Sequence, residues 1–429
     1  MFISKTIFHQ TAAIIPAKLI EFLIGIGAGW LSPTLSTLRN SNTGFSLTSE
    51  ECSWIASLQY MGRAFGPLIS FSLLDRIGRK NVLILSSIAV SSVWIIVFFT
   101  KSVLVLSIIR LIFGMGVGTF DTAASIYIGE NSSPNIRGVF NSILVAFFFL
   151  GELLAFVFCT YLEYNTVAII HAAIGFIIFL LTFLLKETAQ FLMLKGKDKQ
   201  AEQIFFWLRG HESDSKKEFE DIQLYLFEQK SKFSMELLKN AGNRRCLRVA
   251  LISNILVLCS GFTAINTMFS IAVPSTGTIT SNELTVLLGV FQLVSVCMSS
   301  YSIDLFGRRP LLLIAAGISI IVHIFTTILY YVEEHIGKLP YFAWLVFVPL
   351  TIYCIIFAMV MLPLTFIIRG EILPQNMKAL GSSLAVSSSS ILAPLDYCSC
   401  GQAGTESVRS PREVNDTVTA TETQRRQLE

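Results

Sequence analysis

The sequence predicts an all-α membrane protein made of two helical bundles, and three observations support this prediction. First, 53% of the 429 residues are hydrophobic and 14% are charged, whereas a soluble domain has roughly 25% charged residues. Second, the apolar residues gather in runs of about 20, the length of a helix that crosses a bilayer. Third, the charged turn Asp75–Arg79 (DRIGR) is nearly repeated at Asp304–Arg308 (DLFGR), each time after an apolar run. A repeated run and turn indicates a duplicated bundle.

Ten candidate spans follow one another along the chain. Six precede a polar stretch, at about 19–38, 53–74, 82–99, 103–128, 139–161 and 167–185. Four follow it, at about 249–273, 284–303, 311–332 and 342–368. The first is expected to bend near Trp30–Pro33. In the second, Gly62, Gly66 and Ser70 recur every four residues, which puts small side chains on one face for close packing in lipid.

The polar stretch between the two sets is a basic linker that contains thirteen Lys and Arg residues and reads as short amphipathic helices. An eleventh span begins near Ala379 but is serine-rich and stops at Pro394, so the second half is expected to lack about one and a half helices. The predicted organisation is an N-terminal cytoplasmic segment (1–18), a six-helix bundle (19–185), the linker (186–248), an incomplete second bundle (249–395) and a disordered polar tail (396–429).

Charge orients the predicted spans. Basic residues fall in alternate loops, at 76–80, 137, the linker, 308–309, 369 and 378, while the opposite loops are mostly acidic. By the positive-inside rule the N-terminus and the linker are cytoplasmic. We therefore expect a multi-pass integral membrane protein whose surroundings are a lipid bilayer, most simply that of the plasma membrane.

Short motifs also recur at regular places. They are Gly29-Trp30-x-Ser32-Pro33, the two charged turns, Arg110-x-x-x-Gly114-x-Gly116-x-Gly118, Tyr127-x-x-Glu130, Arg137-Gly138, Glu187-Thr188, Trp207–Gly210, Ser260-Gly261 and Gly370–Pro374. In this order they resemble the sugar-porter (glucose-transporter-like) family of the major facilitator superfamily and, within it, the insect facilitated trehalose transporters. The resemblance covers about residues 20–390. It implies the major facilitator fold, with six spans and four to five spans joined by a cytoplasmic helical loop.

The resemblance also implies where a solute binds. A sugar site needs amide groups that exchange hydrogen bonds with hydroxyls, and an aromatic platform. At the family's ligand positions this chain has Val145, Val257-Leu258, Thr263, Gln292 and Phe366, with Asn266 one helical turn from Thr263. Gln292, Thr263, Asn266 and Phe366 are therefore the candidate solute contacts. The alternative for Gln292 and Asn266 is that their side chains only form hydrogen bonds to neighbouring helices and do not contact a solute.

Two carboxylates lie within predicted spans, where charge is costly and usually functional. Asp121 is expected either to line the cavity, where it would contact the solute or take part in proton coupling, or to form a buried ion pair with Arg110 on its own helix. The carboxylate of Glu152 could form an ion pair or reach the membrane–water interface. Ile26 stands where proton-coupled sugar porters carry an aspartate, which favours facilitated diffusion over symport unless Asp121 substitutes.

In the family, charges around the two turns form a cytoplasmic latch that holds the halves together when the site opens outward. The resemblance assigns this role to Asp75, Arg79, Glu130, Arg137, Glu187, Asp304, Arg308, Glu371 and Lys378. Asp75 and Arg79 are four residues apart and can face each other. The alternative is that these charges only end helices and fix topology.

The sequence contains no phosphate-binding loop, metal-ligand cluster or nucleophile arrangement, so we expect no enzyme activity, no cofactor, no metal and no nucleic-acid partner. The predicted function is transport of a small sugar, a hexose or trehalose, by alternating access and facilitated diffusion. Two alternatives stay open, because most family ligand positions are apolar here. They are a non-transporting sensor or receptor derived from a transporter, and a transporter of a less polar solute.

Overall fold

The computed structural model describes residues 2–40, 47–100, 102–210, 213–229, 240–337, 339–373 and 380–393, and every regular element in these ranges is helical. The first half contains α1 Phe2–Gly29, α2 Leu31–Asn40, α3 Ser49–Ile77, α4 Arg79–Phe99, α5 Val103–Asn131, α6 Pro134–Tyr161 and α7 Tyr164–Thr182. The linker contains α8 Ala189–Leu194, α9 Asp198–Arg209 and α10 Ser213–Gln229. The predicted tail (396–429) lies outside the described residues.

The second half is divided into shorter pieces. It contains α11 Ala241–Leu258, α12 Phe262–Ala272, α13 Ser281–Cys297, α14 Ser299–Phe306, α15 Arg308–His335, α16 Phe342–Ile356, a π-helical turn Phe357–Met361, α17 Leu362–Ile372 and α18 Leu380–Ala393. Each half has its own apolar core. The first is built around residues such as Trp30, Trp94 and Phe120, and the second around residues such as Phe269 and Phe347.

Eight stretches of the described residues are long and apolar enough to cross a membrane. They are Lys5–Leu38, Arg79–Phe99, Val103–Asn131, Gly138–Tyr161, Tyr164–Thr182, Ala241–Ala272, Arg308–His335 and Phe342–Gly370. Two of the ten predicted spans are not among them. Helix α3 is long but carries Gln59 and Arg63 near its middle, and the predicted span 284–303 is interrupted at Met298, between α13 and α14.

The N-terminal boundary differs from the prediction. Helix α1 begins at Phe2 rather than near residue 19 and runs through Pro16 without a break. Its first turns dock on the linker, where Gln10 Nε2 donates to the Leu208 carbonyl at 3.1 Å and His9 Nδ1 lies 2.8 Å from the Trp207 carbonyl oxygen. Sequence reasoning missed this extension because its polar residues pack against α9 rather than against apolar neighbours.

Helix α3 and the pair α13–α14 begin and end in the same way, which reflects the predicted duplication. Each begins with a capping box, in which Thr48 exchanges hydrogen bonds with Glu51 and Thr280 with Glu283, so that backbone N–H groups at the helix start are satisfied. The charged turns that follow centre on Gly78, with φ 98°, and Gly307, with φ 78°. A positive φ favours glycine. Each turn leads directly into the next helix.

Small residues let α3 and α5 approach closely, as the spacing of Gly62 and Gly66 predicted. A Cβ atom at Gly62 or Gly66 would overlap the carbonyl oxygen of Leu111 or Met115 on α5. Reciprocally, a Cβ atom at Gly114 would overlap the carbonyl oxygen of Gln59 on α3. This close approach brings the polar side chains in the middle of α3 next to those of α5.

We expect Gly114→Val to destabilise the protein, because the added methyl groups meet backbone that cannot give way. Overpacking of this kind costs about 1–3 kcal/mol. The measurement is the melting temperature and monodisperse yield of purified protein in detergent. Gly317→Ala is the matched control, because a Cβ atom at that helical glycine meets nothing within 4 Å. Equal behaviour of the two variants would contradict the tight α3–α5 contact.

Several of the predicted spans are broken into two helical pieces. The first is interrupted at Trp30, near the predicted bend, between α1 and α2. The span predicted at 249–273 divides into α11 and α12 at Gly261, which has φ 75°. The span at 342–368 contains the π-helical turn, which packs against α12 through stacked rings of Phe262 and Phe357 at 3.7 Å. Such breaks are typical of helices that line a transport site.

Candidate functional site

A cavity of about 120 Å³ lies between the two halves. Helices α1, α2, α3, α5 and α6 contribute one side of the cavity, and α11, α12, the π-helical turn, α17 and α18 contribute the other. Its polar and charged lining residues are Glu21, Gln59, Tyr60, Arg63, Asp121, Glu152, Asn254, Thr263, Asn266, Thr267, Thr365, Arg369 and Ser389. Apolar residues, including several phenylalanines, complete the wall.

Four of the five candidate solute contacts line this cavity, namely Asp121, Thr263, Asn266 and Phe366. Gln292 does not line it but stands behind Asn266, to whose Oδ1 atom its Nε2 donates at 3.1 Å. Asn266 Nδ2 in turn donates to Glu152 Oε1 at 2.6 Å. The three residues therefore form a chain of hydrogen bonds that runs from α13 through α12 to α6 and crosses from one half to the other.

Asp121 forms an ion pair, but its partner is not the one considered from the sequence. Arg63 on α3 contacts Asp121 Oδ2 through Nη2 at 2.7 Å and through Nε at 2.8 Å. Arg110 instead donates to the Gly27 carbonyl at 2.9 Å and to Gln59 at 3.2 Å. The expected Arg110–Asp121 pair is wrong because residues eleven apart on one helix are about 16 Å apart along its axis, whereas α3 packs directly on α5.

Sequence reasoning missed several polar residues of the cavity, among them Glu21, Gln59, Arg63 and Arg369. Glu21 is 5% exposed and Arg369 is 3% exposed. Arg369 had been counted as a loop charge, but it lies in α17, where its Nε donates to the Thr365 carbonyl at 3.3 Å. A charged residue within an apolar run is itself a signal of function, and this signal was available for Glu21 and Arg63.

Phe366 presents its ring to Arg369, whose guanidinium carbon lies 4.6 Å from the ring centroid. A guanidinium over an aromatic face is a favourable cation–π arrangement. The aromatic side chain therefore holds a neighbouring charge in the wall of the cavity, in addition to presenting an apolar surface to it.

The two halves touch on both sides of the cavity. At one end Ser270, on α12, donates its backbone N–H to Ser32 Oγ on α2 at 3.2 Å. At the other end Ser387 Oγ, on α18, donates to the Ala64 carbonyl of α3 at 2.8 Å. Each contact is a small polar one that rigid-body rotation of the halves could break separately.

The first charged turn gathers four of the latch candidates. Arg79, whose side chain is 9% exposed, contacts Glu130 at 3.0 Å and Asp75 at 3.2 Å. Glu187 accepts from the backbone N–H groups of Arg79 and Lys80 at 3.1 and 3.3 Å. Burial raises the pKa of the Glu187 carboxyl, against the opposing effect of these donors. All these contacts lie in the first half or at the start of the linker.

The remaining latch candidates are less fully described. Arg308 is the first residue of α15. The side chains of Arg137, Asp304 and Glu371, and the whole of Lys378, lie outside the described part of the chain. Their role in a latch therefore stays a prediction.

Comparisons with known proteins agree with one another. A family model described as "Sugar (and other) transporter" matches residues 13–395. Two facilitated trehalose transporters Tret1 are similar along most of their length. The protein from Apis mellifera ligustica is 26% identical over 381 residues, which is 88% of this chain and 76% of the relative. The protein from Bombyx mori is 28% identical over 366 residues, or 84% and 72% of the two chains.

Solved structures show the same fold. The proton:xylose symporter XylE, in a complex with 6-bromo-6-deoxy-D-glucose, superposes with a TM-score of 0.76 at 19% identity, covering 93% of this chain and 90% of that chain. The partially occluded inward-open form of XylE from E. coli superposes with a TM-score of 0.72 at 18% identity, covering 93% and 97%. The predicted major facilitator fold is confirmed.

Proposed function

Because this multi-pass membrane protein belongs to the sugar (and other) transporter family, we propose that it carries a small sugar, a hexose or trehalose, by facilitated diffusion. The observation that carries this proposal is the cavity between the two halves, which is walled by helices from both, with two separate hydrogen-bonded contacts that join the halves. A site of this kind suits transport more than catalysis, because its walls can open on one side at a time.

In this proposal the solute moves by alternating access. The six-helix bundle (19–185) rocks against the second bundle (249–395), with the linker (186–248) between them. Breaking the Ser387–Ala64 contact opens one end of the cavity, and breaking the Ser32–Ser270 contact opens the other. Each state must differ from the other by only a few kcal/mol for the cycle to turn over.

We propose Asn266, Thr263, Phe366 and Asp121 as solute contacts and Gln292 as the residue that orients Asn266. The carboxamide of Asn266 both donates and accepts, which suits sugar hydroxyls. Uniport is supported by two features. Ile26 is apolar where symporters of the family carry an aspartate, and Asp121 is held by Arg63 at 2.7 Å, an ion pair that an exchangeable proton would have to displace.

The proposed setting is the lipid bilayer of the plasma membrane, with the N-terminus and the linker in the cytoplasm and without a nucleic-acid partner. The support for this orientation is the alternation of basic and acidic loops, since Lys and Arg are retained on the cytoplasmic side. The latch candidates around Gly78 and Gly307 would then lie at the cytoplasmic face.

A second candidate cargo is a less polar solute. The cavity wall includes Ile24, Val117, Phe148, Val257 and Phe262, and such a surface favours a molecule with an apolar face. This candidate predicts that an aliphatic glycoside competes for uptake better than the free sugar.

We expect Asn266→Ala to lower sugar uptake about tenfold, because it removes two hydrogen bonds of the chain across the halves, each worth roughly 0.5–1.5 kcal/mol. The measurement is uptake of radiolabelled trehalose and D-glucose by proteoliposomes that contain the purified protein, with Gln292→Ala tested alongside. Asn165→Ala is the control, because Asn165 is exposed at the start of α7. Sugar binding without saturable flux in folded wild-type protein would refute transport and favour a sensor.

A further inference from the structure

Three buried polar atoms of the cavity have no hydrogen-bond partner among the described residues. They are Glu21 Oε2, Glu152 Oε2 and Arg369 Nη1. The exposed fractions of these residues are 5%, 0% and 3%, and all three line the same cavity. They reach it from α1, α6 and α17, so the set includes both halves of the protein.

These three groups are not satisfied by one another. Among the described residues, neither carboxylate lies within 4 Å of the Arg369 guanidinium, whereas Arg63 and Asp121 are already paired at 2.7 Å. Arg369 uses its Nε for the Thr365 carbonyl, and Glu152 uses Oε1 for Asn266. A buried polar atom without a hydrogen-bond partner is costly. The cavity therefore presents two carboxyl oxygens and one guanidinium N–H that a ligand can satisfy.

The charges restrict which ligand satisfies them. An anionic group of a solute would satisfy Arg369 but offer no hydrogen-bond donor to the carboxyl oxygens of Glu21 and Glu152. A cationic solute would satisfy the carboxylates and leave Arg369 Nη1 without an acceptor. A hydroxyl group both donates and accepts. A neutral molecule with several hydroxyls can therefore satisfy all three atoms at once.

We infer that Glu21, Glu152 and Arg369 form a charged subsite that binds the hydroxyl groups of a neutral sugar. This inference rests on the proposed transport function and assigns solute-binding residues to it. Hydrogen bonds to charged groups are roughly twice as strong as those between neutral groups. The subsite thereby replaces the amide side chains that are absent at Val145, Val257 and Leu258.

The test uses Glu21→Gln, Arg369→Met and Arg369→Lys in the full-length protein, with Glu163→Gln and Arg244→Met as controls at exposed positions. Uptake of D-glucose is measured in proteoliposomes to obtain KM and the maximal rate. The melting temperature in detergent is measured with and without glucose, since a bound ligand stabilises the folded state. D-glucuronate and D-glucosamine serve as the charged comparison solutes.

We expect Glu21→Gln and Arg369→Met each to raise KM about tenfold, the difference between a charged and a neutral or absent hydrogen bond, with little change in maximal rate. The glucose-induced rise in melting temperature is lost. The melting temperature without glucose changes little in Glu21→Gln, because Glu21 Oε2 has no hydrogen-bond partner to lose. Arg369→Lys keeps the charge and retains part of the affinity.

Three results would overturn the inference. A lower melting temperature without sugar, together with an unchanged KM, would make these residues structural. Faster uptake of glucuronate or glucosamine than of glucose would show that the subsite selects a charged solute. If both variants take up glucose as the wild type does, the subsite is rejected and the proposed function stands. If the folded wild type takes up no sugar at all, the proposed function is rejected together with the subsite.

Discussion

Asp121→Asn is expected to cause a large loss of stability and of transport, because it leaves the Arg63 guanidinium in the cavity wall without its counter-charge. Removing one partner of a buried ion pair costs about 3–5 kcal/mol, and the lower end applies here because the Arg63 side chain is 30% exposed. A loss of about 3 kcal/mol corresponds to roughly a hundredfold change in the folding equilibrium. The measurement is the melting temperature and folded yield in detergent, followed by sugar uptake.

A double variant separates the pair from the rest of the cavity. In Arg63→Gln with Asp121→Asn, both members of the ion pair are neutral, so the melting temperature should recover most of the loss seen in the single variant. Asp221→Asn, on the exposed side of α10, should behave as the wild type. If the loss of stability in the double variant equalled the sum of the losses in the two single variants, the stability would not depend on the interaction between Arg63 and Asp121.

Arg79→Lys is expected to lower uptake more than tenfold although it keeps the positive charge. Arg79 contacts Glu130 through both Nε and Nη2, at 3.2 and 3.0 Å, and contacts Asp75 through Nη1 at 3.2 Å. A lysine has no planar fork and cannot make this set of contacts. The first charged turn should therefore be held less firmly, and the latch that this turn is proposed to form should weaken.

The measurement combines uptake with the accessibility of a cysteine introduced at Ser389, a residue that lines the cavity close to the Ser387–Ala64 contact. Labelling from the linker side should become faster in Arg79→Lys. Arg76→Met is the control, because Arg76 is exposed on the same turn. Normal uptake and unchanged labelling in Arg79→Lys would refute the latch and leave these charges with a topological role only.

Local patterns in the sequence accounted for much of the fold. The spacing of Gly62 and Gly66 predicted a close contact in lipid, and both residues face the backbone of α5. The two charged turns were recognised as copies from their residues alone, and their glycines share a left-handed φ. These features depend on neighbours within a few positions, so the local sequence is sufficient to specify them.

The site was predictable only in part. Asp121, Thr263, Asn266 and Phe366 do line the cavity. The family pattern gave the positions of Thr263 and Phe366, helical spacing gave Asn266, and a charge within an apolar run gave Asp121. Arg369 was misplaced, because its charge resembles a helix end. Gln292 lies behind Asn266 rather than in the cavity wall. The sequence pattern does not distinguish a residue that lines the cavity from one that lies behind the lining.

The sequence by itself determined the class of protein, the repeated turns and the residues that could bind a solute. Only the tertiary structure decided which charges are paired. Arg63 and Asp121 meet across 58 positions of the chain, while Glu21 and Arg369 are brought to one cavity from opposite halves without forming an ion pair. Helix packing sets these distances, because the residues belong to helices that are far apart in the chain and the local sequence does not specify how closely those helices approach.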